Sequence, residues 1–354
     1  MILVNRGIKM ARILMVTPLL KSQRGNSITA ARLFNGLSSK GYAIDLLSMD
    51  EPDWQLQLDR YCHTNSYDMV HGFHALQFSR VAHHPAIKDL PLLLTTTGTD
   101  INYDLTGPHK EPTLQTLLKA SWVVVFNEDL GQHISDTDNR LQSRLTVIPQ
   151  GVDLPTRPPA SRQQYGLSET DVVFIIPSGL RPVKNLDLAL DGLDIAQRSH
   201  PSLSLLILGA AIDSAYSDHI KSRLNQLPWA HYLDEIPHDE IGGIMQMADI
   251  VLNTSLAEGQ PQGALEAMSL GKPCILTAVP GNLGIIENGI DGYYINSARE
   301  LASAAMQLIT APSLRTAMGS AARQLVIECY SAEKELAAYA QLYEELISLQ
   351  NTPG

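Results

Sequence analysis

The chain reads as an α/β protein of two doubly wound domains, and three observations predict it. Apolar runs of strand length alternate with stretches of helical period from residue 12 to residue 126. A proline-rich break from Pro149 to Pro159 carries little hydrophobic periodicity, and a second alternation begins after it. The length of 354 residues exceeds one small core and suits two domains of about 150 to 180 residues each. Strands separated by helices imply parallel sheets with both faces covered.

Taken in order, residues before Met10 read as an upstream extension, because the first strand pattern starts at Arg12 and a second methionine precedes it. After Arg12-Ile-Leu-Met-Val come Thr17-Pro18 and a polar loop, Lys21 to Asn26. A helix follows in which Ala30, Leu33, Phe34 and Leu37 share one face and Gly41 ends the pattern. Further strands are expected at Ala43 to Ser48, Met69 to Phe73, Pro91 to Thr96 and Trp122 to Phe126. Beyond the break, Val172 to Pro177 and Leu203 to Leu208 read as strands, and Leu186 to Ile195 and Ile244 to Ala248 as helices. Asp249 to Ser255 reads as a buried strand, Ala264 to Met268 as a helix start, and Ala332 to Leu349 as a long amphipathic helix. The expected domains are 1–155 and 160–331.

With 44% apolar residues, the chain can bury both cores. A net charge of −11, with no basic cluster, argues against a nucleic-acid partner, since phosphate backbones are met by clustered lysine and arginine. The lack of a basic amphipathic segment favours a soluble partner over a membrane lipid. No uninterrupted apolar stretch approaches the ~18 residues of a spanning helix, and Ile13 to Leu20 is too short for a secretion signal, so a cytoplasmic location is expected. Cys62, Cys274 and Cys329 are widely spaced and odd in number, which specifies neither a disulfide framework nor a zinc site.

The chemistry concentrates in EGQPQGALEAM, bracketed by Glu258 in a loop and Glu266 on a helix. Backbone N–H groups around Gln262 and Gly263 lie at a helix start, where unpaired amides and about half a positive charge favour a diphosphate. A carboxylate cannot bind phosphate, so the glutamates would address the hydroxyls of an attached sugar. Alternatively, Glu258 is a solvated loop residue and Glu266 a first-turn acid favoured by the helix dipole. In the loop Ser178-Gly-Leu-Arg-Pro-Val-Lys-Asn, Arg181 and Lys184 stand three apart and can point at one anion, or be two surface cations at a turn. Both loops follow predicted strands, where ligands of such sheets bind.

The run SLAEGQPQGALEAMSLGKPCIL, with Pro280-Gly281-Asn282, Glu287-Asn288-Gly289 and Asp291-Gly292, resembles the glycosyltransferases of family 4. That resemblance implies the GT-B fold, two Rossmann-like domains with parallel sheets facing a cleft, and a closing helix 332–349 that returns to the first domain. It implies that Glu258 holds the donor sugar, that Glu266 holds the ribose, and that the backbone from Pro261 to Gly263 holds the diphosphate. Gly25, Gly179, Gln260, Gln262 and Ala264 would complete the donor site, with Arg181, Lys184 and Glu258 as the catalytic set. The Ser-x-x-Arg-x-Val-Lys form is similar to the branch that couples N-acetylglucosamine to malate in bacillithiol synthesis.

The first domain should carry the acceptor. In Arg24-Gly25-Asn26-Ser27-Ile28-Thr29, a glycine allows close backbone approach and Asn or Ser can cap the next helix, which alone explains Ser27. By the resemblance, Arg24, Asn26 and Thr29 flank the acceptor, as do Thr97, Gly98, Thr99 and Asp100 after the fourth strand. Asp100 could instead cap a turn, and His71, a possible polar contact of the acceptor pocket, could be a hydrogen-bonded structural residue. Thr97 stands where many family 4 enzymes have a histidine that contacts the donor sugar. Thr-Gly-Thr-Asp, Arg24-Gly-Asn-x-x-Thr-Ala and Leu208-Gly-Ala-Ala-Ile-Asp213 are similar to the selenosugar synthases, although Gln260-Pro261 departs from that branch.

Histidines 63, 71, 74, 83 and 84 lack the convergent spacing of a zinc site, and no G-x-G-x-x-G follows the first strand. Asp136-Thr-Asp138 lies in a polar loop, so its match to a two-aspartate metal motif reads as chance. The expectation is a metal-independent, retaining transferase without a cofactor, taking a UDP-sugar as donor substrate and a small acceptor, anions included. Its alternatives are a selenosugar synthase-like enzyme, a UDP-sugar epimerase and a non-catalytic nucleotide-sugar binding protein.

Overall fold

The computed structural model describes residues 11–20 and 25–350, with backbone alone at 25, 26, 349 and 350. The expectations for residues before Met10 and for Arg24 lie outside the described residues. The chain divides into two compact units, one running up to Ile148 and resuming at Glu335, the other Pro149–Lys334.

The first unit is built from β1 (Arg12–Thr17), α1 (Gly25–Ser39), β2 (Ala43–Ser48), α2 (Trp54–Thr64), β3 (Met69–Phe73), α3 (Ala75–Phe78), β4 (Leu92–Thr95), α4 (Lys110–Lys119), β5 (Trp122–Val125), α5 (Glu128–Thr137) and β6 (Leu145–Val147). Its strands form one sheet in the order β2-β1-β3-β4-β5-β6, all parallel. Side chains alternate between faces with period two. Leu14, Val16, Val70, Leu92, Leu94, Val123 and Val125 enter one core with Trp54 and Phe78. Ile13, Met15, Met69, Phe73, Leu93 and Val124 enter the other, with Leu33 and Leu37 of α1.

The second unit comprises β7 (Val172–Pro177), α6 (Leu186–Gln197), β8 (Leu203–Leu208), α7 (Ser214–Leu224), β9 (Ala230–Tyr232), α8 (His238–Met247), β10 (Ile250–Asn253), α9 (Gln262–Ser269), β11 (Cys274–Thr277), β12 (Gly292–Ile295), α10 (Ala298–Thr310) and α11 (Pro312–Cys329). Its parallel sheet runs β12-β11-β10-β7-β8-β9. The chain leaves β7 toward β8 and β9, then returns to build β10, β11 and β12 on the opposite side. The neighbours β7 and β10 therefore flank a topological switch point, where the diverging crossovers leave a crevice off the strand ends.

Helix α12 (Ala332–Gln350) brings the chain back to the first sheet. Tyr339, Leu342, Tyr343 and Leu346 fill the α1 side of that core. Arg32 of α1 forks onto Glu335 through Nε at 2.7 Å and Nη2 at 2.9 Å, a buried bidentate pair within the first unit.

Three expectations about local structure are corrected. The helix before β10 begins at His238, not Ile244, because His238-Asp-Glu forms a polar first turn that hides the start. Helix α1 already includes Gly25, so Ser27 lies inside it and is no cap. Glu266 is the fifth residue of α9, beyond the turn where a helix dipole would favour an acid.

Candidate active site

The switch point of the second sheet assembles the polar cluster. After β7 the chain makes a tight helical turn at Pro182–Lys184, in which the Lys184 N–H donates to Arg181 O at 2.9 Å. After β10 the next loop is stitched onto it: Leu256 N–H donates to Val183 O at 2.8 Å, and Thr254 Oγ1 to Lys184 O at 3.1 Å. Two loops 70 residues apart thus form one rigid unit.

Within it Lys184 Nζ donates to Glu258 Oε1 at 2.6 Å, joined on the same oxygen by Ser255 Oγ at 2.6 Å and Asn253 Nδ2 at 2.9 Å. Burial by itself would raise the Glu258 carboxyl. The Lys184 ammonium, helped by the Ser255 and Asn253 bonds, outweighs it and holds the group below its ordinary range. The support continues outward: Asn282 Nδ2 bonds Asn253 Oδ1 at 3.2 Å and Thr277 O at 3.0 Å, and Thr277 Oγ1 donates to Ser255 O at 2.6 Å. Gly281 makes this closeness possible, because at φ +84° a Cβ there would stand 2.1 Å from Glu258 O. Arg181 lies beside this cluster in sequence, with its Nε buried and unpartnered among the described residues.

The start of α9 is partly committed already. Pro261, at φ −78° and ψ 70°, makes an inverse γ-turn, so the Gln262 N–H donates to Gln260 O at 2.9 Å. The Ala264 N–H likewise finds Pro261 O at 3.0 Å. The expectation of an unpaired amide at Gln262 is corrected accordingly. Gln260 exchanges bonds with the Gln150 backbone, Nε2 to O at 2.9 Å and N–H to Oε1 at 3.0 Å, and Gln262 Nε2 reaches Gly151 O at 2.9 Å. Both amide side chains clamp the segment at 150–151. Gly263 sits where a Cβ would press on Pro177 at 2.7 Å, so α9 meets the end of β7 at close range.

Glu266 is buried, and its Oε1 meets His238 Nε2 at 3.1 Å. Sequence reasoning missed His238, since 28 residues and a change of element separate the pair.

In the first unit the expected acceptor residues divide sharply. His71 is a core residue, not the acceptor contact suggested by its strand: it is fully buried, with Nδ1 bonded to Tyr343 Oη at 2.7 Å and Nε2 to Thr95 Oγ1 at 2.8 Å. Burial pushes its pKa down to about 3. Asp100 is likewise a structural cap, fully buried, taking the Thr97 N–H on Oδ1 at 2.9 Å and the Ala75 N–H on Oδ2 at 2.8 Å. Thr29 is buried, Thr97 half-buried and Thr99 exposed. Gly98, at φ +89°, turns the chain into a π-helical turn at Asp100–Asp104.

His74, directly after β3, carries the clearest backbone outlier of this unit among the described residues, φ 64° and ψ 103°. Such a conformation costs a non-glycine residue roughly 1–3 kcal/mol. No positional signal in the sequence marks it. Asp136 and Asp138 show no convergence toward a metal; Asp138 instead pairs with Arg140 at 2.6 Å. Among the described residues no group of three or more ligating side chains could hold a metal ion.

Residues 159–325, within the second unit, match the family model for glycosyl transferases group 1. The chain is similar to glycosyltransferase 1 domain-containing protein 1 of Xenopus tropicalis, 24% identical over 91% of this chain and 95% of that protein. It is also similar to N-acetyl-alpha-D-glucosaminyl L-malate synthase of Bacillus anthracis, 27% identical over 73% of this chain and 68% of that one. Among solved structures, HepE of Anabaena in complex with UDP and glucose superposes with a TM-score of 0.78 at 19% identity, covering 95% of this chain and all 100% of that one. Sucrose-phosphate synthase of Thermosynechococcus elongatus gives 0.80 at 16% identity, with 96% and 100% covered. The fold is GT-B.

Proposed function

We propose that this chain, with its match to the family model for glycosyl transferases group 1, is a retaining glycosyltransferase that moves a sugar from UDP to a small soluble acceptor. N-acetylglucosamine or a hexose is the transferred group. The observation that carries this reading is the Lys184–Glu258 pair at the switch point of the second sheet, with Ser255 and Asn253 converging on the same carboxylate oxygen. A carboxylate so held presents acceptor oxygens to sugar hydroxyls at a fixed place, and the cations beside it suit a diphosphate. The relative that makes N-acetylglucosaminyl malate and the structure that holds UDP and glucose support the donor and acceptor classes by analogy.

In this reading Arg181, Lys184 and the start of α9 from Pro261 to Ala264, with Gly179, surround the diphosphate, and Glu266 takes the ribose hydroxyls. As the bond from the sugar's anomeric carbon to the phosphate oxygen stretches, the two cations stabilise the charge growing on the leaving group. The acceptor oxygen bonds that carbon from the same face, and its proton passes to the departing phosphate oxygen. Neither glutamate becomes covalently attached, unlike the paired carboxyls of retaining hydrolases. Acceptor recognition falls to the first unit, and no cofactor takes part. Among the described residues no helix is long and apolar enough to cross a membrane.

The test is UDP release from a panel of UDP-sugars with and without L-malate, myo-inositol, phosphate or selenophosphate. Release that depends on an acceptor, with the product's anomeric configuration matching the donor's, is the expected result. An isomerised sugar without acceptor would instead mark an epimerase, and tight UDP-sugar binding with no turnover a binding protein. Release with selenophosphate alone would favour the selenosugar synthase-like alternative.

A further inference from the structure

Three features single out the end of β3. First, the strained His74 backbone is pinned from both sides: its N–H donates to Thr95 O at 2.9 Å, its C=O accepts from Phe78 N–H at 2.9 Å, and the next amide, Ala75, is held by Asp100. Glycine would tolerate this positive φ at less cost, yet the position carries an imidazole. Second, that imidazole makes no hydrogen bond among the described residues. Nδ1 is buried and unpartnered, 4.0 Å from Asp100 Oδ2, while Nε2 lies 3.8 Å from Asp104 Oδ2. Both separations exceed hydrogen-bond reach. Third, β1 and β3 flank the switch point of the first sheet, where the chain departs to β2 on one side and to β4 on the other.

We propose that His74 and Asp104 form a hydroxyl-recognition site of the first unit, in which one hydroxyl of a sugar, polyol or hydroxy-acid acceptor bridges His74 Nε2 and Asp104 Oδ2. A hydroxyl oxygen about 2.8 Å from each atom fits over a 3.8 Å gap. It accepts from the ring N–H and donates to the carboxylate, satisfying both groups at once. Two carboxylates this close to the ring repel an anion, so the site takes the hydroxyl of the acceptor and not its phosphate or carboxylate. Asp104 is held beside the imidazole by the same π-helical turn that begins at the buried Asp100. Burial raises the Asp104 carboxyl; His74 and His109 oppose this and Asp100 adds to it, as suits a group awaiting a donor. The strain gives the arrangement its purpose: it aims a side chain that folding alone would exchange for glycine.

This inference deepens the glycosyltransferase reading and rests on it. The experiment uses the full-length protein with UDP-N-acetylglucosamine or UDP-glucose, with L-malate, myo-inositol and glucose as hydroxyl-bearing probes and phosphate and selenophosphate as probes without a carbon-bound hydroxyl. His74→Gly and Asp104→Asn should each lower kcat/KM for the hydroxyl acceptor at least ~30-fold while leaving KM for the UDP-sugar within about twofold. His74→Gly should also melt a few degrees higher than wild type, because the strain is relieved. Wild-type kcat/KM for the acceptor in His74→Gly overturns the site, as does a melting temperature that falls together with activity, which would make His74 a packing residue. Turnover with selenophosphate and none of the hydroxyl probes overturns it as well. A wild-type protein that releases UDP under no condition overturns the parent reading, a pattern distinct from loss in the variants alone.

Discussion

The two switch points of this molecule share a topology and differ in where their polar groups face. At β7 and β10, Lys184, Ser255 and Asn253 converge on Glu258 at the strand end and in the loops that follow, and Arg181 and Glu266 lie on the loop and helix after the same strands. At β1 and β3 the corresponding polar residue, His71, is turned inward and closed off by Thr95 and Tyr343. Among the described residues, the His74 imidazole there makes no hydrogen bond and lies 4.0 Å from Asp100 and 3.8 Å from Asp104. Parallel α/β topology supplies a crevice at each site, but the side chains decide whether it holds chemistry or core.

The largest expected effect lies in the second unit. If the proposed reading holds, Lys184→Ala and Glu258→Ala should each lower transfer at least ~100-fold, since in it each supplies charge or hydrogen bonding to the reacting group. Circular dichroism should show both variants folded; wild-type turnover in either would break the assignment of this switch point as the reaction centre. A smaller effect is expected one step away. His238 holds Glu266, so His238→Ala should raise KM for the UDP-sugar about tenfold with kcat little changed, and His238→Gln should restore much of the loss. Equal losses in kcat and KM with no recovery in His238→Gln would instead assign His238 to the transition state.

The difference between the regions also explains what could be read from sequence. The bounds of β2, β3, β7 and β8 coincide with the expected strands; β3, β7 and β8 are near-continuous runs buried on both faces, while β2 is a half-buried edge strand interrupted by Asp45. β6 and β9, of three residues each, are too short to show any period, and β11 and β12, of four each, are scarcely longer. Lys184 and Glu258 sit in loops that directly follow recognisable strands, so their shared sheet edge is legible. The fate of His71 is not, because its partner Tyr343 lies 272 residues away on a helix whose return to the first sheet no local pattern records. His74 hides for a different reason: histidine at positive φ falls mostly in the αL region, and its ψ of 103° lies outside that region, so the residue type alone does not mark this conformation.

Acid should separate the two regions by stability instead of activity. His71 is neutral inside the first unit, its pKa lowered by burial from 6.5 to about 3. From about pH 6.5 downward the unfolded chain binds a proton that the folded unit excludes, so stability present above that pH falls by up to ~1.4 kcal/mol per pH unit until the folded value is reached. Glu258 follows the same direction in a lower window. Burial opposes its charge, but Lys184 with Ser255 and Asn253 holds its pKa below the ordinary 4.5, so its contribution is complete above about pH 4.5 and is lost only as pH falls through that lower value. The first unit should therefore loosen in milder acid than the second. Hydrogen exchange followed by peptide should show β3 and α12 losing protection between about pH 6 and 5 while β10 and α9 keep theirs. His71→Gln removes the titrating ring but keeps polar partners for Thr95 and Tyr343, so it should flatten the first unit's profile across that window. A profile for His71→Gln that runs parallel to wild type would mean that some other group drives the loosening.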